Sequence, residues 1–207
     1  MPCKYVIGAG RELRRAVAAW RALDAGLDVR AVEIPERASA GAIRAVVEAL
    51  DRQEATAFVA LDPRHLNFPR LELARVVAAC GLSAPALVEG GAIMAAGVQL
   101  PDNAWIGAGA ILQPECTVGA NVVIGPGAIV GHGAVLGESA YVEAGVVIGH
   151  GAGIGVQATI GLGVTIGHGV QVGALCVIDR PGRIEADVAA STFIQTSHAH
   201  PIRIVGQ

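Results

Sequence analysis

Residues 106–178 read IGAGAI LQPECT VGANVV IGPGAI VGHGAV LGESAY VEAGVV IGHGAG IGVQAT IGLGVT IGHGVQ VGALCV I when broken every six residues. The first column is aliphatic without a break, from Ile106, Leu112 and Val118 to Val172 and Ile178. The residue two places earlier is small each time, as in Ala104, Ala110, Cys116 and Val122. The residue that follows is Gly in ten of the thirteen repeats, the exceptions being Gln113, Glu143 and Asp179. A period of six is neither the 3.6 of a helix nor the 2 of an isolated strand. It marks short strands separated by regular corners and stacked coil on coil.

A three-sided coil needs three such hexapeptides, 18 residues in all. The branched residue points inward and fills the prism. The small residue lets the wall turn, and glycine is expected to supply corner backbone angles that a Cβ penalises. Successive coils then pair as parallel strands about 4.8 Å apart. One coil alone buries too little surface, so several must stack. Val88, Met94 and Leu100 hold the same phase and extend the pattern by about one coil.

The rest of the composition agrees. Aromatic residues are 3% of the 207, as a core of small branched side chains requires. No apolar run is long enough for a membrane span, and the N-terminus lacks the features of a cleaved leader. Cys3, Cys80, Cys116 and Cys176 show no metal or redox spacing; buried free thiols in a reducing cytoplasm are expected. Twelve of the fifteen Lys and Arg lie at or before Arg75, and the other three are Arg180, Arg183 and Arg203. Nucleic acid needs a basic stripe, which the repeats lack.

Ahead of the prism, short apolar runs at Lys4–Ile7, Val29–Ile34 and Ala57–Ala60 alternate with helical stretches at 11–23, 40–50 and 71–79. That alternation predicts a small α/β unit with a parallel sheet over residues 1–85, then the prism over 86–190 and a tail over 191–207 packing on it. Gly8-Ala9-Gly10 closes the first strand and opens a helix, where backbone N–H groups can hold a phosphate. The third position of the dinucleotide fingerprint is Leu13, so a tight strand-to-helix turn explains the glycines equally well. Glu33 ends the second strand, where a ribose-binding carboxylate can sit.

Together the Gly-Ala-Gly unit, the 58–62 strand running on to Asn67-Phe-Pro-Arg70, and the repeats resemble the sialic acid O-acetyltransferase and bacillosamine N-acetyltransferase group of bacterial sugar acyltransferases. The resemblance covers nearly the whole chain. It implies a left-handed parallel β-helix, a homotrimer, acetyl-CoA held between neighbouring prisms, and a nucleotide-sugar held by the α/β unit. The work implied is acyl transfer to a sugar hydroxyl or amine for surface polysaccharide. Substrate contacts would then fall to Gly8, Ala9, Gly10, Glu33, Asn67 and Arg70, and CoA contacts to Tyr141, Gly149, His150 and Gly167. Arg180 and Arg183, the basic residues near the prism's end, suit the CoA phosphates. The chain departs from the group in having Arg11-Glu12 where Gly-His is usual, and in its tail.

His132, His150 and His168 each stand in Gly-His-Gly, one coil apart, and should stack along one edge. An exposed imidazole titrates near neutrality and suits general-base work. The resemblance places the base at His132, but the acid usual just after it is Gly133 here; Glu138 or Glu143 of a neighbouring chain is a substitute. A second candidate lies in Thr196-Ser-His-Ala-His-Pro201, which resembles the Thr-x-x-His-Pro stretch of maltose and galactoside acetyltransferases and offers His198 and His200. Gamma-type carbonic anhydrases build a zinc site on similar prisms, but a ladder of parallel rings converges poorly on one ion, so no metal is expected. A prism kept only for binding or assembly is the other alternative.

On two walls the residues before the inward column are apolar: Trp105, Val123, Tyr141, Thr159 and Val177 on one, Ile111, Ile129, Val147 and Thr165 on the next. One is expected to pack in a homotrimer and the other to be partly covered.

Overall fold

The computed structural model of the chain describes residues 2–35 and 38–204. The chain divides into two compact units, Met1–Leu87 and Val88–Gln207. The first runs β1 (Cys3–Gly8), α1 (Gly10–Leu23), β2 (Asp28–Glu33), α2 (Ala40–Glu48), β3 (Ala55–Ala60), a short 3-10 turn and α3 (Phe68–Ala79). β1 lies between β2 and β3 and is parallel to both, with Tyr5 opposite Arg30 and Ala57. On one face Tyr5, Ile7, Ala57 and Val59 pack with Val47 of α2 and Leu73 and Val77 of α3.

On the other face α1 sets Trp20 edge-on to Phe58, with ring centroids 5.8 Å apart. Lys4 reaches under the same indole. Its Nζ sits 4.2 Å from the Trp20 centroid, is buried and donates to no hydrogen-bond acceptor among the described residues. Burial moves this amine from 10.5 down to about 8. The charged form is disfavoured in the folded chain, so folding is penalised in full below pH ~8 and the penalty disappears as pH rises to the unfolded value. Lys4→Met is therefore expected to raise stability at pH 7 by roughly 2–3 kcal/mol, less what the cation–π contact returns. Urea melts should show the gain shrinking between pH 8 and 10.5.

The second unit is a parallel β-helix with three walls. Its sheets have eight, six and four strands in order, pairing with strands one coil away except for an antiparallel hairpin strand at the end of the first. Tyr141 lies opposite Val123 and Thr159 on the first wall, Ile129 opposite Ile111 and Val147 on the second, Val135 opposite Thr117 and Gly153 on the third. The expected 18-residue coil is thus the register itself. Every aliphatic residue of the column from Ile106 to Ile178 is buried, and so is every small residue two places before it, whereas Val88 and Leu100 are half-buried and Met94 is exposed. Each inward side chain contributes about 1.5–3 kcal/mol of apolar burial. Strands form at Leu87–Val88 and Ile93–Met94 but not at Leu100, where Pro101 follows and removes a ladder donor.

The glycine after the inward column serves a different purpose from the one its position implies. A Cβ on Gly131 would lie 2.7 Å from the Gly149 carbonyl carbon of the next coil, so the requirement there is close approach. Positive φ falls two residues later, as at Gly133 (φ 64). On the edge between the third and first walls that position carries side chains: Asn103, Asn121, Ser139, Gln157, Leu175 and Ser191, all with positive φ. Asn103 Nδ2 donates to Asn121 Oδ1 at 2.7 Å, and Asn121 Nδ2 to Ser139 Oγ at 2.8 Å, forming a buried polar ladder inside the edge. Asn tolerates the left-handed region better than most residues, and here its amide also links coil to coil.

Of the two apolar walls, the first is the covered one: Trp105, Val123, Tyr141 and Thr159 are buried in the single chain. Ile111, Ile129, Val147 and Thr165 are half-buried. The tail adds Thr192–Gln195 parallel to the end of the first wall, then turns back as an antiparallel Ile202–Arg203 strand. All four cysteines are buried and unpaired, and burial pushes the Cys116 and Cys176 thiols up.

Candidate functional site: the histidine edge and the α/β cavity

His132, His150 and His168 occupy the corner between the second and third walls. The ring centroids of His132 and His150 are 6.4 Å apart with planes tilted 46°; those of His150 and His168 are 4.9 Å apart and tilted 36°. The stack expected from the spacing exists, but the rings fan rather than lie parallel. The three are not equivalent. The His150 backbone N–H donates to His168 Nδ1 at 3.0 Å, which occupies that nitrogen as an acceptor. The His132 backbone N–H donates instead to Gln113 Oε1 at 3.0 Å. His132 Nε2 lies 3.4 Å from Glu115 Oε2, and the His132 side chain is 49% exposed. Among the described residues this is the carboxylate at ion-pair distance from the ladder.

Glu115 is none of the positions at which the sequence points to an acid, which are the one immediately after His132 and Glu138 or Glu143. The available signal was the repeat itself: Gln113 and Glu115 are the two departures from glycine at the corner one coil before His132.

Gly149, His150 and Gly167 share this edge with His132. Tyr141 does not: it lies on the first wall, opposite the histidine edge, and is buried. Arg183 lies on the last strand of the second wall opposite Thr165, with its Nε 2.8 Å from Glu185 Oε1. Arg180 sits at the corner after the first wall and donates to the Ala199 carbonyl at 3.5 Å. His198 and His200 are in the turn of the tail hairpin, where His198 Nδ1 is 2.9 Å from Ser197 Oγ. No group of three or more His, Cys, Asp or Glu able to hold a metal occurs among the described residues.

The α/β unit holds a cavity of about 720 Å³ at the carboxyl end of its sheet, lined by Gly10, Arg11, Asp62, Arg64, His65 and Phe68 among others. Ligands of open α/β sheets bind at that end. Ala9 and Gly10 lie in its wall, whereas Gly8, Glu33, Asn67 and Arg70 do not line it. Gly8 is glycine because a Cβ would collide with the Ala60 carbonyl of β3. Glu33 lines a separate groove beside α1, with Arg14 and Arg21. Asn67 and Arg70 are fully buried and so belong to the interior. The helix start carries Glu12, a buried carboxylate held by Arg11 at 3.1 Å and Arg15 at 3.4 Å. A carboxylate in the first turn complements the helix dipole and places negative charge where the glycine turn alone invited a phosphate. Beside the cavity, His65, Leu66 and Asn67 take positive φ in succession (52°, 55° and 60°). Each costs about 1–2 kcal/mol, and such strain gathers at ligand clamps. Nothing in the residues themselves announces this run, since none of the three is glycine.

A wound prism of hexapeptides behind an α/β unit defines the class. The repeats match the bacterial transferase hexapeptide (six repeats) over residues 97–132 and the hexapeptide repeat of succinyl-transferase over residues 115–150. Residues 97–150 thus carry hexapeptide repeats of the matched kind. The likeness of the chain's fold to solved structures extends over both units. PerB from Caulobacter crescentus, in complex with CoA and GDP-perosamine, is similar at 23% identity and a TM-score of 0.79, over 93% of each chain. The acetyltransferase domain of PglB from Neisseria gonorrhoeae, in complex with acetyl coenzyme A, gives 21%, 0.56, and 98% and 100% coverage. WeeI from Acinetobacter baumannii gives 16%, 0.52, and 97% and 100%. No curated protein matches the chain. No helix among the described residues is long and apolar enough to cross a membrane.

Proposed function

We propose that this protein transfers an acetyl or longer acyl group from its CoA thioester to a hydroxyl or amine of a nucleotide-sugar, with His132 as general base. The observation that carries the reading is the Glu115–His132 pair on an exposed edge of the prism. Support comes from the two-unit fold, shared with PerB in complex with CoA and GDP-perosamine and with a PglB domain in complex with acetyl coenzyme A. His132 takes the proton from the acceptor as it attacks the thioester carbonyl. Backbone N–H groups of the glycine-rich corners are suited to the oxyanion, and the CoA thiol leaves. The acyl-CoA would run along the edge past Gly149, His150 and Gly167 toward Arg183, with its seam completed by a second chain of a homotrimer. The α/β cavity would take the nucleotide, with Arg11, Arg64 and His65 near its phosphates and Phe68 against its base.

The test is thiol release from acetyl-CoA in the presence of GDP- and UDP-linked amino- and hydroxy-sugars. Acceptor-dependent release is expected with at least one of them. No release with any, together with no calorimetric binding of CoA, would reject the reading and leave a binding or assembly prism.

A further inference from the structure

The corner beneath His132 breaks the repeat twice, and both breaks touch His132. Along the edge between the second and third walls, the position of positive φ is Gly97, Glu115, Gly133, Gly151 and Gly169. Four coils satisfy it with the residue for which the left-handed region is free; the coil below His132 puts a Cβ there, at φ 61. Two residues earlier Gln113 replaces the usual glycine and takes the His132 backbone N–H. Glu115 places its carboxylate 3.4 Å from His132 Nε2. An acidic side chain held in a disfavoured conformation at one corner, against the ring that the proposed reaction uses, calls for a functional reason. On the edge between the third and first walls, Asn103, Asn121 and Ser139 have a structural one, since they are buried and bonded to each other. Glu115 is exposed, and its side chain supports nothing inside the prism.

We propose that Glu115 is the positioning residue of the proposed base. It accepts the Nε2–H of His132, fixing the tautomer whose Nδ1 carries the lone pair, so that Nδ1 is the proton-accepting atom. During transfer the acceptor's O–H or N–H proton moves to Nδ1 as the acceptor atom bonds to the thioester carbonyl carbon. The imidazolium so formed keeps its Nε2–H on the Glu115 carboxylate. Collapse of the tetrahedral adduct breaks the C–S bond, and the CoA thiolate takes the proton back from Nδ1. The other charged groups of this edge are His150 and His168 above, and Glu185, Asp187 and Arg183 a coil further. Glu185 is paired with Arg183, and Asp187 accepts the Gln171 backbone N–H, so neither stands in for Glu115. The carboxylate thereby comes from the preceding coil rather than from the residue following the base.

This inference rests on His132 being the base, and its test separates the two. Ring ¹⁵N spectra of the full-length protein at pH 8 report the His132 tautomer without any substrate. The wild type is expected to show a protonated Nε2 and an unprotonated Nδ1; Glu115→Gln and Glu115→Gly are expected to shift the ring toward a tautomer mixture. Glu115→Gly removes the positive-φ cost, so its Tm should equal or exceed that of the wild type while acceptor-dependent thiol release from acetyl-CoA falls about tenfold or more. Glu115→Asp should recover part of that rate. An unchanged tautomer and rate in both Glu115 variants would overturn the assignment while leaving His132 as base. A tautomer shift in an enzyme whose His132→Ala variant keeps full turnover would overturn the base instead, and the role of Glu115 with it.

Discussion

Replacing His132 by alanine is expected to lower acceptor-dependent turnover of acetyl-CoA by about 10²–10⁴-fold, the range a positioned general base supplies. CoA affinity should stay within about twofold, because the ring is 49% exposed at a corner and its removal leaves every coil-to-coil hydrogen bond in place. The corresponding changes at His150 and His168 are expected to be milder. His168 Nδ1 already accepts the His150 backbone N–H, and neither ring has a carboxylate at ion-pair distance among the described residues. Steady-state kinetics on the three single variants with CoA calorimetry checks this. Equal losses at all three positions would mean that the ladder acts as a packing unit.

The largest effect on stability is expected at Asn121. Alanine there deprives Asn103 Nδ2 and Ser139 Oγ of a buried partner and puts a Cβ at φ 59 without the local hydrogen bonding that compensates asparagine. Lost buried hydrogen bonds cost about 1–3 kcal/mol each, and the left-handed conformation about 1 more, so a loss of roughly 3–7 kcal/mol follows. Glycine at the same position escapes the conformational cost but not the broken ladder, and should lose less than alanine. Urea melts of the two variants decide the point: equal losses would mean that backbone conformation contributes nothing there, and no loss in either would mean that the ladder does not stabilise the prism.

Much of this fold could be read from residues because the prism repeats. One column of aliphatic side chains, from Ile106 to Ile178, sets phase, wall and coil together, and the observed register of 18 follows from it directly. The alternation of apolar strands and helices likewise placed the parallel sheet around Tyr5. What escaped the reading came from contacts between coils. Gly131 is small because Gly149 lies against it, a relation 18 residues long that local backbone reasoning assigned to φ. Glu115 faces His132 across a coil, whereas a motif read along the chain looks one residue ahead. Asn67 and Arg70, matched to the sugar acyltransferase group by position, turned out to be interior. The cavity instead draws on Asp62, Arg64 and His65, the last of which opens a run of three left-handed residues. Tyr141, which the resemblance places at the CoA groove, lies one wall of the prism away from the histidine edge.

The central claim is that an acyl-CoA thioester is presented to the edge that carries His132. A crystal structure of the protein with CoA tests it most directly. The account predicts the pantetheine arm along the second wall at a seam with a neighbouring chain, its sulfur beside the His132 ring on the side away from Glu115. CoA bound with its sulfur at the tail hairpin near His198, or on the buried first wall's side of the prism, would contradict it.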